Sequence, residues 1–177
     1  MPDTTTLKEA LTTRGPYAVW DLMTDDEQRT AAAALWLNAD RETKILLDMT
    51  LAKDLKFRPQ SVRKLPAERV VGRLARLADE VPENLLFQYL FHYHMTERRQ
   101  LLAEFLNGAS IPHEDGVLDL PEDFEGPDAD KVGQAAKDLV AAHGHDAIVY
   151  LATLKIADGE FWSGLDPILE EHEAPAE

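Results

Sequence analysis

The 177-residue sequence has no cysteine. That excludes thiol nucleophiles, thiolate zinc sites and disulfides, and it fits a reducing, cytoplasmic setting. Serine is nearly as scarce. Ser61, Ser110 and Ser163 are the only three, and none sits in a G-x-S-x-G elbow. The nine glycines never gather into a phosphate-binding loop. The longest apolar run, Ala31–Leu37, falls far short of the roughly 20 residues that cross a bilayer. The N-terminus shows no basic stretch followed by an apolar one, so no secretory signal is expected. Cations are almost missing from the last part of the chain. Residues 100–177 hold 3 Lys+Arg against 18 Asp+Glu, whereas residues 1–99 hold 15 of each. The net charge of −15 therefore belongs to the C-terminal part, and it disfavours nucleic acid as a partner.

What is present is helical periodicity. Thr24-Asp25-Asp26-Glu27 reads as a capping box, with three acids at the positive end of the helix dipole. That helix should run to about Leu37. Asp40 should cap the next, which carries Ile45, Leu46, Met49 and Leu51 to about Leu55. Pro66 and Pro82 read as first helical residues. A helix over 66–80 places Val70, Leu74, Leu77 and Ala78 on one face, and a helix over 83–107 should end at a left-handed Gly108. Ile111–Asp130 has eight acids, three prolines and two glycines, and reads as an irregular acidic connection anchored by Val117, Leu118, Leu120 and Phe124. Helices then follow over 128–143, through DAIVYLATLKIA (a buried helix, with a buried strand as the alternative) and over 160–170. The expected fold is all-α: a single domain over 1–177, built as an irregular multi-helix bundle of about three hairpins. The acidic connection spans 109–127, and 1–5 and 171–177 should fray.

Two groups of residues merit a functional reading. The first is the histidines. In YLFHYHMTERRQ (Tyr89–Gln100), His92 and His94 stand two apart, which on a helix directs them roughly 200° from each other. They cannot chelate one ion together. His94 falls in line with Phe87, Leu90 and Phe91, and should be a hydrogen-bonded core histidine. His92 should be half-exposed. A metal site would pair His94 with Glu97 and recruit His113, His143 or His145, with a divalent cation as the implied cofactor. Otherwise no cofactor is expected. Thr96 offers a further reading, as the cap of a new helix.

The second group is basic. Eight of the 18 cations fall in residues 53–76, and Arg69, Arg73 and Arg76 form one stripe opposite Val70, Leu74 and Leu77. Leu51–Leu65 resembles a helix-turn-helix pattern, with Leu51, Ala52, Leu55, Phe57, Val62 and Leu65 at the apolar positions. The resemblance implies DNA binding, with Arg58, Gln60, Arg63 and Lys64 turned to a major groove. Lys56 stands where such motifs usually have glycine, and Pro66 cuts the second helix short. The leading expectation is a non-enzymatic interaction protein. It would bind a protein partner or a second copy of itself, with the basic stripe and the acidic connection as complementary surfaces. A DNA-binding regulator and a metal- or small-ligand-binding helical domain are the alternatives.

Overall fold

A computed structural model describes residues 5–176. Among these the chain is mostly helical, as an all-α protein should be. The helices are α1 (Leu7–Arg14), α2 (Pro16–Leu22), α3 (Asp25–Asn38), α4 (Arg41–Leu55), α5 (Pro59–Val62), α6 (Ala67–Leu77), α7 (Glu83–Glu97), α8 (Arg99–Gly108), α9 (Ala129–His143), α10 (His145–Ala157) and α11 (Asp166–Glu170). Single 3₁₀ turns follow α6 at Ala78–Glu80 and precede α11 at Ser163–Leu165. Two short strands, β1 (His113–Glu114) and β2 (Val117–Leu118), make an antiparallel hairpin. No described helix is long and apolar enough to cross a membrane.

The chain gathers into two compact units. One is Met23–Tyr93. The other joins the segment up to Leu22 to everything from His94 onward.

Local chemistry accounts for most element ends. Thr24 makes the expected capping box with Glu27, and Asp40 accepts the Thr43 N–H at 2.7 Å. That hydrogen bond holds the Asp40 carboxyl below its ordinary pKa. A second box, Thr6 with Glu9, starts α1. Asp128 accepts from Asp130 and Lys131 at the start of α9. Gly144 ends α9 with φ +55, a conformation that glycine adopts at no steric cost. Pro66 and Pro82 sit one residue before α6 and α7 rather than inside them.

Three expectations need correcting. The long helix over 83–107 is broken at Arg98 (φ −124, ψ 22), so α7 runs through Thr96 and α8 starts without a side-chain cap. Gly108 is not left-handed but helical. Its bare Cα faces α9, where a Cβ would stand 3.2 Å from the Ala135 Cβ. The left-handed residue comes two positions later, at Ser110. Finally, α4 buries Leu47, Asp48, Leu51 and Ala52, and leaves Ile45, Leu46 and Met49 exposed.

In the Met23–Tyr93 unit, α3 packs on α6. Ala31, Ala32 and Leu35 meet a face of Val70, Leu74 and Leu77, and the small alanines allow close approach. Leu86, Tyr89, Leu90 and Tyr93 of α7 complete this core. The Tyr89 hydroxyl donates to the Leu74 carbonyl at 3.1 Å, and burial pushes its pKa upward.

In the other unit α10 is buried nearly all round, which is the helical alternative for DAIVYLATLKIA. Tyr150 and Trp162 both pack on Phe105, with ring centroids 5.7 and 5.8 Å away. The segment after α11 pairs with the start of the chain. Leu7 N–H donates to the His172 carbonyl at 2.8 Å, and Ala174 N–H to the Thr5 carbonyl at 3.0 Å. The fraying expected of 1–5 and 171–177 therefore falls partly on residues outside those described, and 172–174 are held by backbone hydrogen bonds.

Candidate functional site

The basic stripe divides into cations that hold the fold and cations that do not. Arg63 donates from Nε to Asp48 at 2.9 Å. Its own side chain is 68% exposed while that of Asp48 is only 7% exposed. Arg73 pairs with Asp54 of α4, a contact that raises the guanidinium pKa further. Arg58 precedes α5 and is exposed, as is Lys64.

Arg69, Arg73 and Arg76 leave the outer face of α6 and line a cleft of about 700 Å³. Arg29 of α3 joins them there, together with Leu55, Val71, Gly72 and one acid, Glu68. Among the described residues, Arg29, Arg69 and Arg76 form no ion pair. Three uncompensated guanidiniums therefore stand on one concave surface. Gly72 adds room. A Cβ built there meets no atom within 4 Å, so nothing inside the chain requires glycine at mid-helix. Its bare backbone lines the cleft, between Arg69 and Arg76 in sequence.

Arg29 escapes a reading of sequence clusters because it lies 40 positions before Arg69. Its one signal is that it is the only cation of α3. The packing of α3 on α6 brings it to the stripe.

The helix-turn-helix-like segment has one feature of the motif and lacks another. Lys56 adopts the left-handed conformation (φ 55) at the position where such motifs usually have glycine. The second helix, however, is the single turn Pro59–Val62. One turn cannot lie along a major groove as a recognition helix does.

The histidines have separate tasks. His94 is buried, its Nε2 2.9 Å from the Thr153 hydroxyl and its ring edge-on to Tyr150. His92 is half-buried, and burial lowers its pKa against the pull of the Asp40 carboxylate. Glu97 is exposed. His113 pairs with the Asn107 amide oxygen at 2.9 Å and accepts the Gly116 N–H at 3.1 Å. His143 lies 2.7 Å from Glu104, and His145 is exposed at the start of α10. Among the described residues, no three His, Asp or Glu side chains gather as metal ligands would.

The acidic connection is more ordered than its composition suggests. Asp115 (φ 49) and Gly116 (φ 82) form the two-residue turn of the hairpin, with the paired positive φ of a type I′ turn. Gly116 is required there twice over, because a Cβ would also stand 2.9 Å from the Leu102 Cβ. Ile111 is buried and Phe124 leans on Phe161, with ring centroids 6.3 Å apart. The expected anchors Val117, Leu118 and Leu120 are instead exposed. The hairpin register puts Val117 and Leu118 opposite Glu114 and His113 on a two-stranded ribbon.

No family model, curated protein or solved structure matches this chain.

Proposed function

We propose that this is an interaction protein that receives an acidic segment of a protein partner in the Arg29/Arg69/Arg76 cleft. The observation that carries this reading is the convergence of three guanidiniums without ion pairs on one cleft. A guanidinium presents a planar fork that fits a carboxylate with two hydrogen bonds, and it loses less water than an ammonium when it does so. Neighbouring like charges repel, and an anionic occupant relieves that repulsion. Leu55 and Val71 give the same cleft an apolar component, which suits a peptide better than a bare anion. Rim charge pairs of this kind mainly set orientation and association rate.

The test is fluorescence anisotropy of a labelled Asp/Glu-rich peptide against the intact protein. R69A/R76A and R29A/R69A should each weaken binding about tenfold or more, in line with about 1.5–3 kcal/mol for hydrogen bonds to charged groups. Affinity should fall steeply with salt. Absence of binding, or binding indifferent to these substitutions, overturns the reading.

A second reading, duplex DNA bound through Leu51–Arg76, is favoured by one observation: the left-handed Lys56 at the motif's turn. It predicts salt-dependent binding to duplex DNA that is lost in R58A/R63A. The one-turn α5 and the acidic C-terminal part count against it. A pull-down with and without nuclease separates the two.

A further inference from the structure

We infer that the acidic occupant of the arginine cleft is the Val117–Glu125 segment of a second copy of this chain. This rests on the reading of the cleft as a site for acidic peptide. Charge complementarity carries it first. The Met23–Tyr93 unit holds 11 Lys+Arg and 11 Asp+Glu, so it is neutral overall, and yet it keeps three arginines without ion pairs on one cleft. The rest of the chain carries the whole net charge of −15.

Within that remainder, Asp119, Glu122, Asp123 and Glu125 are exposed, and their carboxylates form no hydrogen bond or ion pair among the described residues. The same stretch exposes Val117, Leu118 and Leu120. Apolar side chains interleaved with uncompensated carboxylates are what a cleft of arginines with Leu55 and Val71 would cover. A bare phosphate backbone would satisfy the arginines and leave the apolar lining unmatched.

Arg69 and Arg76 are about 10 Å apart along α6, at roughly 1.5 Å per residue. In the acidic segment Glu122 and Asp123 stand side by side in a turn, closed by the Phe124 N–H on the Pro121 carbonyl at 3.0 Å, so one turn presents two adjacent exposed carboxylates.

A contact of one copy's segment with the next copy's cleft is heterologous. It closes into a ring or continues as an open chain according to the rotation it imposes.

Sedimentation velocity of the intact chain over a concentration series tests this. Association should be present at low salt and lost at about 1 M, where the Debye length is about 3 Å. R69E/R76E and D119K/E122K/D123K should each remain monomeric. The two variants mixed one to one should associate again, because each supplies the native half that the other lacks. All five positions are exposed on the surface, and circular dichroism verifies that both variants stay folded. A monomeric wild-type chain at every concentration overturns the inference, as does association of either variant alone to the wild-type extent.

Labelled peptides separate this failure from that of the parent reading. If an unrelated acidic nine-residue peptide binds the cleft while the chain stays monomeric, the cleft is a site for acidic peptide and self-assembly is wrong. If neither that peptide nor the Val117–Glu125 peptide binds, both are wrong.

Discussion

Asp48 shows how one residue changes meaning between sequence and structure. It lies in RETKILLDMTLAKDL with no sign of burial, yet its side chain is almost fully enclosed and depends on Arg63 for its Nε hydrogen bond. Removing that donor leaves a buried carboxylate short of a partner. Arg63→Met should therefore lower stability by about 1–3 kcal/mol, read from urea denaturation, although Arg63 itself looks like a solvated surface cation. Thr153 and His94 are a second such pair, and Thr153→Val should cost a similar amount, about 1–3 kcal/mol, because the histidine nitrogen stays buried. His92 carries a pH consequence. Burial lowers its pKa, so the unfolded chain takes up a proton more readily than the folded one. Its contribution is complete above the ordinary value of 6.5 and is lost as pH falls from there through the lower folded-state pKa. His92→Gln should flatten the stability profile over that window in denaturation at a series of pH values.

At the scale of elements, two glycines behave in opposite ways, Gly72 within α6 and Gly164 in the 3₁₀ turn before α11. Gly164 is required by packing. A Cβ there would stand 2.7 Å from the Ala129 carbonyl oxygen and 3.0 Å from the Val132 Cβ. Gly164→Ala should destabilise by about 1–3 kcal/mol, seen as a lower Tm. Gly72 has open space above it, so Gly72→Ala should stabilise α6 by about 0.5–1 kcal/mol through helix propensity. If an acidic peptide occupies the arginine cleft, Gly72→Leu should weaken its binding while leaving the protein folded. Anisotropy and Tm together separate the two effects.

Element starts were readable because a cap is a local device. Thr24 with Glu27, and Asp40 with Thr43, need only three residues of spacing. The break at Arg98 was legible only through the alternative of a helix start at Thr96, two residues early, since no capping side chain marks the break itself. The exposed face of α4 is not legible in the sequence for a different reason. Ile45, Leu46 and Met49 are as apolar as Leu47 and Leu51, and only the position of α5 and α6 decides which side is covered.

For the whole molecule, the division of charge is the dominant physical feature. Exposed charges interact over a Debye length of about 8–10 Å at ordinary ionic strength, so a strongly acidic part and a cleft of uncompensated arginines each advertise themselves to partners. Binding of an acidic peptide should raise the Tm by mass action, with about 2.7 kcal/mol of added stability at a ligand concentration of 100 Kd. Scanning calorimetry with and without peptide measures this. R69A/R76A should abolish the increase without lowering the Tm of the free protein, because neither arginine has an ion pair among the described residues to lose.

The sequence by itself determined what is local. Helix class, the Thr24–Glu27 capping box, the Asp40 cap, the Gly144 stop, the apolar face of α6, the separation of His92 from His94 on one helix and the imbalance of charge all follow from spacing and composition. Tertiary packing decided what is shared between distant segments. It placed Arg29 beside Arg69 and Arg76 because the alanines of α3 let it close on α6. It spent Arg63 and Arg73 on Asp48 and Asp54, left Val117, Leu118 and Leu120 exposed, and gave His94, His113 and His143 separate neighbours. The physical reason is the range of the forces involved. A cap or a periodic face is complete within one or two turns, whereas which cations keep a partner depends on which helices the burial of apolar surface presses together.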